Sequence, residues 1–154
     1  MNPFLARFLG TGSRLSALEK LLLDAVRDQL DPRLALTWDR QVQAITKVQR
    51  LPEGVEVNFY RMVKGRPTFN DDLAFANKTK ELHLASVRMS WSKASSELVA
   101  RVWCVKGFLF SIEYTGGVAY YEEAAGMDPP LDFNIVSELK ADLSLATESP
   151  AVGS

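Results

Sequence analysis

The chain predicts an α+β domain, with an N-terminal helix packed on one face of a mostly antiparallel sheet of about five strands and a short C-terminal helix. Three observations carry this. Apolar residues recur at helical spacing between Arg14 and Leu30. A two-residue Lys106-Gly107 turn divides two alternating runs, Leu98 to Val105 and Phe108 to Thr115. Further strand-like segments alternate with short turns rather than with long helices.

In the first helix Leu15, Leu18, Leu22 and Val26 form a stripe that Leu23 and Leu30 widen, and Ser13 is the expected N-cap. Asp31-Pro32 ends it and starts another element, with aspartate as cap and proline at the first helical position. The stretch after it satisfies two periods. Leu34, Trp38, Val42, Ile45 and Val48 suit a helix, while the even positions from Leu34 to Val48 suit a strand. The favoured reading is a short helix through Trp38, then a strand from Gln41 to Leu51 that turns at Leu51-Pro52-Glu53-Gly54 into Val55 to Phe59.

Val63-Lys64-Gly65-Arg66 reads as a tight reversal and Asn70-Asp71-Asp72 as a loop. His83, Ala85, Val87, Met89 and Trp91 share parity, which assigns them one side of the next strand. The Lys106-Gly107 hairpin is apolar on both sides for part of its length, so it belongs in the middle of the sheet, with one face on the first helix. Gly116-Gly117 breaks the strand, and an edge strand is one reading of the segment after it. Ile135, Leu139 and Leu143 predict a terminal helix over Asn134 to Leu143. Residues 1–146 are expected to form one domain and 147–154 a flexible tail.

Composition bounds the function. At 154 residues with 47% hydrophobic and 24% charged, the chain has ordinary globular usage and can close a core without staples. Its one cysteine, Cys104, cannot form an intrachain disulfide. No apolar run approaches the roughly 20 residues of a membrane span, and Met1 to Gly10, interrupted by Arg7, does not read as a secretory signal. The expectation is a cytoplasmic protein. Charge is bipolar beneath a net of −1: Arg33 to Lys106 holds thirteen basic and seven acidic residues, Gly107 to Ser154 one basic and eight acidic. Either the two segments compensate one another in the fold, or one presents a charged face to a partner.

Groups for chemistry are few. His83 is the only histidine, no metal-ligand spacing occurs, and neither a nucleophile elbow nor a P-loop is present. No cofactor or metal is expected. Asp71-Asp72 and Glu122-Glu123 are adjacent pairs whose side chains point apart if the segments are extended. Cys104 is expected as core packing rather than as a nucleophile paired with His83. Gly10-Thr11-Gly12-Ser13 is a small-residue turn without the lysine of a phosphate loop.

Two surfaces stand out. Tyr120, Tyr121, Glu122 and Glu123 combine aromatic area with acid, which suits a protein interface. Tyr60, Arg61, Lys64, Arg66, Trp91 and Lys93 combine stacking with positive charge, which suits nucleic acid. The leading expectation is a non-enzymatic protein-interaction module of adaptor or toxin-neutralising type, working by charge complementarity on a partner with a basic surface. Nucleic-acid binding through the basic segment is one alternative. A small-molecule or hydrolytic pocket around His83, between helix and sheet, is another. An exposed sheet edge also leaves room for a homodimer.

Overall fold

The computed structural model describes residues 15–91, 96–129 and 131–147. Helix α1 spans Ala17–Arg27, α2 Pro32–Gln43 and α3 Val118–Ala125. The strands are β1 Lys47–Arg50, β2 Glu56–Tyr60, β3 Met62–Val63, β4 Arg66–Pro67, β5 Leu82–Ser90, β6 Leu98–Val105, β7 Phe108–Thr115 and β8 Asn134–Leu139. Six of them form an antiparallel sheet in the order β1-β2-β7-β6-β5-β8, and β3 and β4 form a separate hairpin. The class is the expected α+β, with the Lys106-Gly107 hairpin at the centre of the sheet.

Helix α1 is capped by Ser16, not Ser13, which lies outside the described residues. Ser16 Oγ accepts from Glu19 N at 3.1 Å, and Glu19 Oε1 accepts from Ser16 N at 2.7 Å. This reciprocal box satisfies two of the helix's otherwise free amides. Glu19 also receives Arg50 of β1 through two nitrogens, at 3.0 and 2.8 Å, which fastens the helix start to the sheet edge. Helix α2 begins as its sequence asks, with Asp31 accepting from Leu34 N at 2.9 Å and Pro32 in the first turn. A two-pronged Arg27–Asp39 pair, at 2.7 and 2.8 Å, joins α1 to α2.

Three local assignments change. Helix α2 runs past Trp38 to Gln43, so only Lys47–Arg50 of the ambiguous stretch is strand. Asn134–Leu139 is strand β8 rather than helix. Ile135 and Leu139 satisfy both periods, and the free edge of β5 supplies a ladder that an isolated helix lacks. The short helix of the C-terminal part is α3, starting after Gly117 where an edge strand was one reading.

The helices share one face of the sheet. Leu18, Leu22 and Val26 of α1, Trp38 of α2 and Tyr121 of α3 enter one apolar cluster with Val57, Phe59, Val87, Met89, Ala100, Val102 and Ile112. The opposite, outer face carries no helix among the described residues. A register shift between His83 and Ala85 places both Leu84 and Ala85 in the core. It also sends His83 to the outer face, against the parity reading.

Candidate functional site

Strand register arranges the outer face in rows. Gln49, Asn58, Ser111, Trp103 and His83 are successive cross-strand partners from β1 to β5. The next row is Glu56, Glu113, Arg101, Ser86 and Glu138. Within the first row Ser111 is a short side chain between two long ones. That difference in size opens a hollow of about 360 Å³, bounded by Glu56, Asn58, Glu81, Trp103, Phe110 and Glu113.

Its polar atoms are incompletely used. Asn58 is 9% exposed, and its Oδ1 is buried with no hydrogen-bond partner. Trp103 Nε1 is likewise buried and unpartnered. Buried polar groups are rarely left so, and each costs about 1–3 kcal/mol of desolvation. Glu56 and Glu113 stand directly opposite on adjacent strands, an arrangement that repels. Neither they nor Glu81 form an ion pair among the described residues, and the nearest cation in the row is Arg101, the other partner of Glu113. The hollow is therefore an acidic cup with an aromatic wall. His83 braces that wall, its ring stacked on Trp103 at 5.0 Å, while Nε2 lies 3.1 Å from Ala85 O and 3.2 Å from Ser86 Oγ.

The residues singled out from sequence are dispersed. Tyr121 is 1% exposed and spends its hydroxyl on Ser96 O at 2.9 Å, so it belongs to the core. Tyr120 and Glu123 are exposed, and Glu122 turns toward Arg50 beside a second hollow. Arg61 is buried and donates to Gln41 O at 3.2 and 3.0 Å and to Leu109 O at 2.9 Å. Burial lowers its pKa to about 10. It holds backbone together and has no surface to offer a phosphate. Tyr60 lies at one end of the sheet, edge-on to Phe110 at 5.4 Å, whereas Trp91 follows β5 at the opposite end, stacked on Tyr120 at 6.3 Å. Lys64 and Arg66 stand on the β3–β4 hairpin, and Lys93 lies outside the described residues. The five described residues do not make one face.

Cys104 faces the core and His83 the outer side, so they form no dyad. Burial raises the Cys104 thiol to about 12. The second hollow, about 280 Å³, does lie between the helices and the sheet, against Val57, Tyr114, Val118 and Ala119, with His83 on the other side. Its Tyr114 hydroxyl is buried without a partner, and burial pushes its pKa up. Among the described residues no three of His, Cys, Asp and Glu are placed to hold a metal ion, and no helix is long and apolar enough to cross a membrane.

Sequence reading missed the cup because its residues come from three strands and from Glu81 just before β5. The available signal was Ser111, a small polar residue among Phe110, Ile112 and Leu109 in a central strand. No family model matches the chain, and neither a curated protein nor a solved structure does.

Proposed function

We propose that this protein is a non-enzymatic interaction module that captures a partner protein by taking one of its basic side chains into the cup on the outer sheet face. The observation that carries the reading is the carboxylate set, Glu56, Glu81 and Glu113, none of them in an ion pair among the described residues, lining one hollow with Trp103 and Phe110. Like charges set face to face cost stability, and a cation arriving from outside relieves that cost. The cup moves the acidic site from the Tyr120–Glu123 helix to the sheet and keeps the expected partner chemistry. Three carboxylates disfavour phosphate there, and the basic residues considered for nucleic acid are scattered.

Affinity capture from an extract of the source cells, at low and moderate salt, tests this. A stoichiometric protein should be retained by the wild type, released as salt rises, and lost with E56K/E113K. Retention of the same protein by E56K/E113K, or recovery of nucleic acid by the wild type, would refute it. E122K/E123K should capture normally, since that pair stands on α3 and neither residue lines the cup.

A further inference from the structure

We infer that this chain pairs with a second copy of itself through β8, edge to edge and antiparallel about Val136, so that the two sheets run on as one. The sheet has two edges, and they differ. β1 has four residues and carries Lys47, a short and charged edge of the kind that resists an added strand. β8 has six residues, and its Val136, beside Arg88 on the outer face, is 54% exposed. Lys140 N donates to Leu84 O at 2.7 Å, so the even-numbered residues of β8 turn their backbone groups toward β5. Those of Ile135, Ser137 and Leu139 point away from the sheet, and no described residue takes them up.

A second β8 answers those groups only where odd residues meet odd residues, which also sets the apolar faces of both copies on one side. Within that limit the side chains choose the register. Centred on Val136, Asp132 faces Lys140 of the second copy, Phe133 faces Leu139, Asn134 faces Glu138, and Val136 meets its own counterpart. That last pair is of the non-hydrogen-bonded, closer kind, with Cα atoms about 4.5 Å apart. Centred one residue earlier, Asp132 opposes Glu138; one later, Val136 opposes Glu138; two later, Glu138 opposes itself. Of these four centres only that on Val136 sets Lys140 against a carboxylate. It also covers Phe133, Ile135 and Leu139, which are half-buried at the margin of the core in a single copy. Both outer faces then lie on one side of the joined sheet, so the two cups open in the same direction. The pairing does not depend on what the cups bind.

Sedimentation equilibrium of the full-length protein over a range of concentrations should give a mass rising to twice that of the chain. V136K changes a side chain that is exposed in the single copy, so it should stay monomeric with an unchanged far-ultraviolet spectrum. D132K and K140D should each weaken association several-fold, and D132K/K140D should restore it. Mild oxidation should cross-link V136C to itself and leave E138C single, Cys104 being buried in both. A single-copy mass at every concentration would overturn the inference, as would a V136K protein that still dimerises. Cross-linking of E138C in place of V136C, or a D132K/K140D protein no better than its parents, would overturn the register.

Discussion

Gln41 is wholly buried, yet every polar atom of its side chain is used. Its Nε2 donates to Leu73 O at 2.6 Å and to Gly107 O at 2.8 Å, and its Oε1 accepts from Leu109 N at 2.8 Å. It thereby closes the loop before β5 against the central hairpin turn. Q41L would strand the Leu109 amide and the Leu73 carbonyl, while Gly107 O keeps its bond from Phe75 N. We expect a loss of about 3 kcal/mol in denaturant unfolding, the sum of partly relieved penalties of about 1–3 kcal/mol each. A loss below about 1 kcal/mol would show that the turn finds other partners. Sequence could not reveal this role: a glutamine in an ambiguous helix–strand stretch advertises no partner 66 residues away.

Cys104 gives the pH dependence at the same scale. Its thiol ionises near 9.0 when unfolded and near 12 in the fold. Between those values the unfolded chain has lost a proton that the native chain keeps, so stability falls as pH rises through this window. Unfolding free energy should decline from about pH 9 upward, at up to about 1.4 kcal/mol per unit from this one group. C104A should flatten the decline between pH 9 and 10, before the tyrosines of the unfolded chain ionise. An unchanged slope in C104A would assign the loss to other groups.

At the scale of elements, the start of α1 rests on the Ser16–Glu19 box. S16A should cost about 1 kcal/mol, the usual value of an N-cap, with thermal unfolding as the readout. Gly116 separates β7 from α3 at φ +114°, and a Cβ there would stand 2.6 Å from Glu97 O. G116A should therefore destabilise by about 2 kcal/mol or more, because the clash meets backbone rather than a movable side chain. Most elements were legible: α1, the Asp31-Pro32 start, the Lys64-Gly65 turn and the central hairpin all follow local rules. What escaped was non-local. Ile135 and Leu139 fit both periods, and only the edge of β5 decides for a strand. The turn of His83 to the outer face depends on a bulge that parity counting does not foresee.

Across the whole molecule the bipolar charge is interleaved in part. Glu113 sits beside Arg101, Glu138 is held below its usual range chiefly by Lys140 and slightly by Arg88, and Glu122 lies near Arg50. Glu56 and Glu81, in no ion pair among the described residues, join Glu113 at the cup. A site kept for binding should be poorly tuned for folding, so E113Q should leave stability unchanged or raise it by about 0.5 kcal/mol, within the usual range for cross-strand pairs. A clear destabilisation by E113Q would point to a structural role for that carboxylate. The acidic character of the C-terminal segment was readable from charge counts alone. The gathering of Glu56, Glu81 and Glu113 at one hollow was not, because it requires the register of β2, β7 and β6 and the residue before β5.

The most direct measurement titrates full-length wild type and E56Q/E113Q into a fluorescently labelled hexa-arginine peptide and, separately, a labelled single-stranded oligonucleotide, following anisotropy at low and moderate salt. The cup predicts that the peptide binds the wild type, weakens as salt screens the carboxylates, and weakens again with E56Q/E113Q, while the oligonucleotide stays free. Oligonucleotide binding by the wild type, or equal peptide binding by E56Q/E113Q, would contradict it.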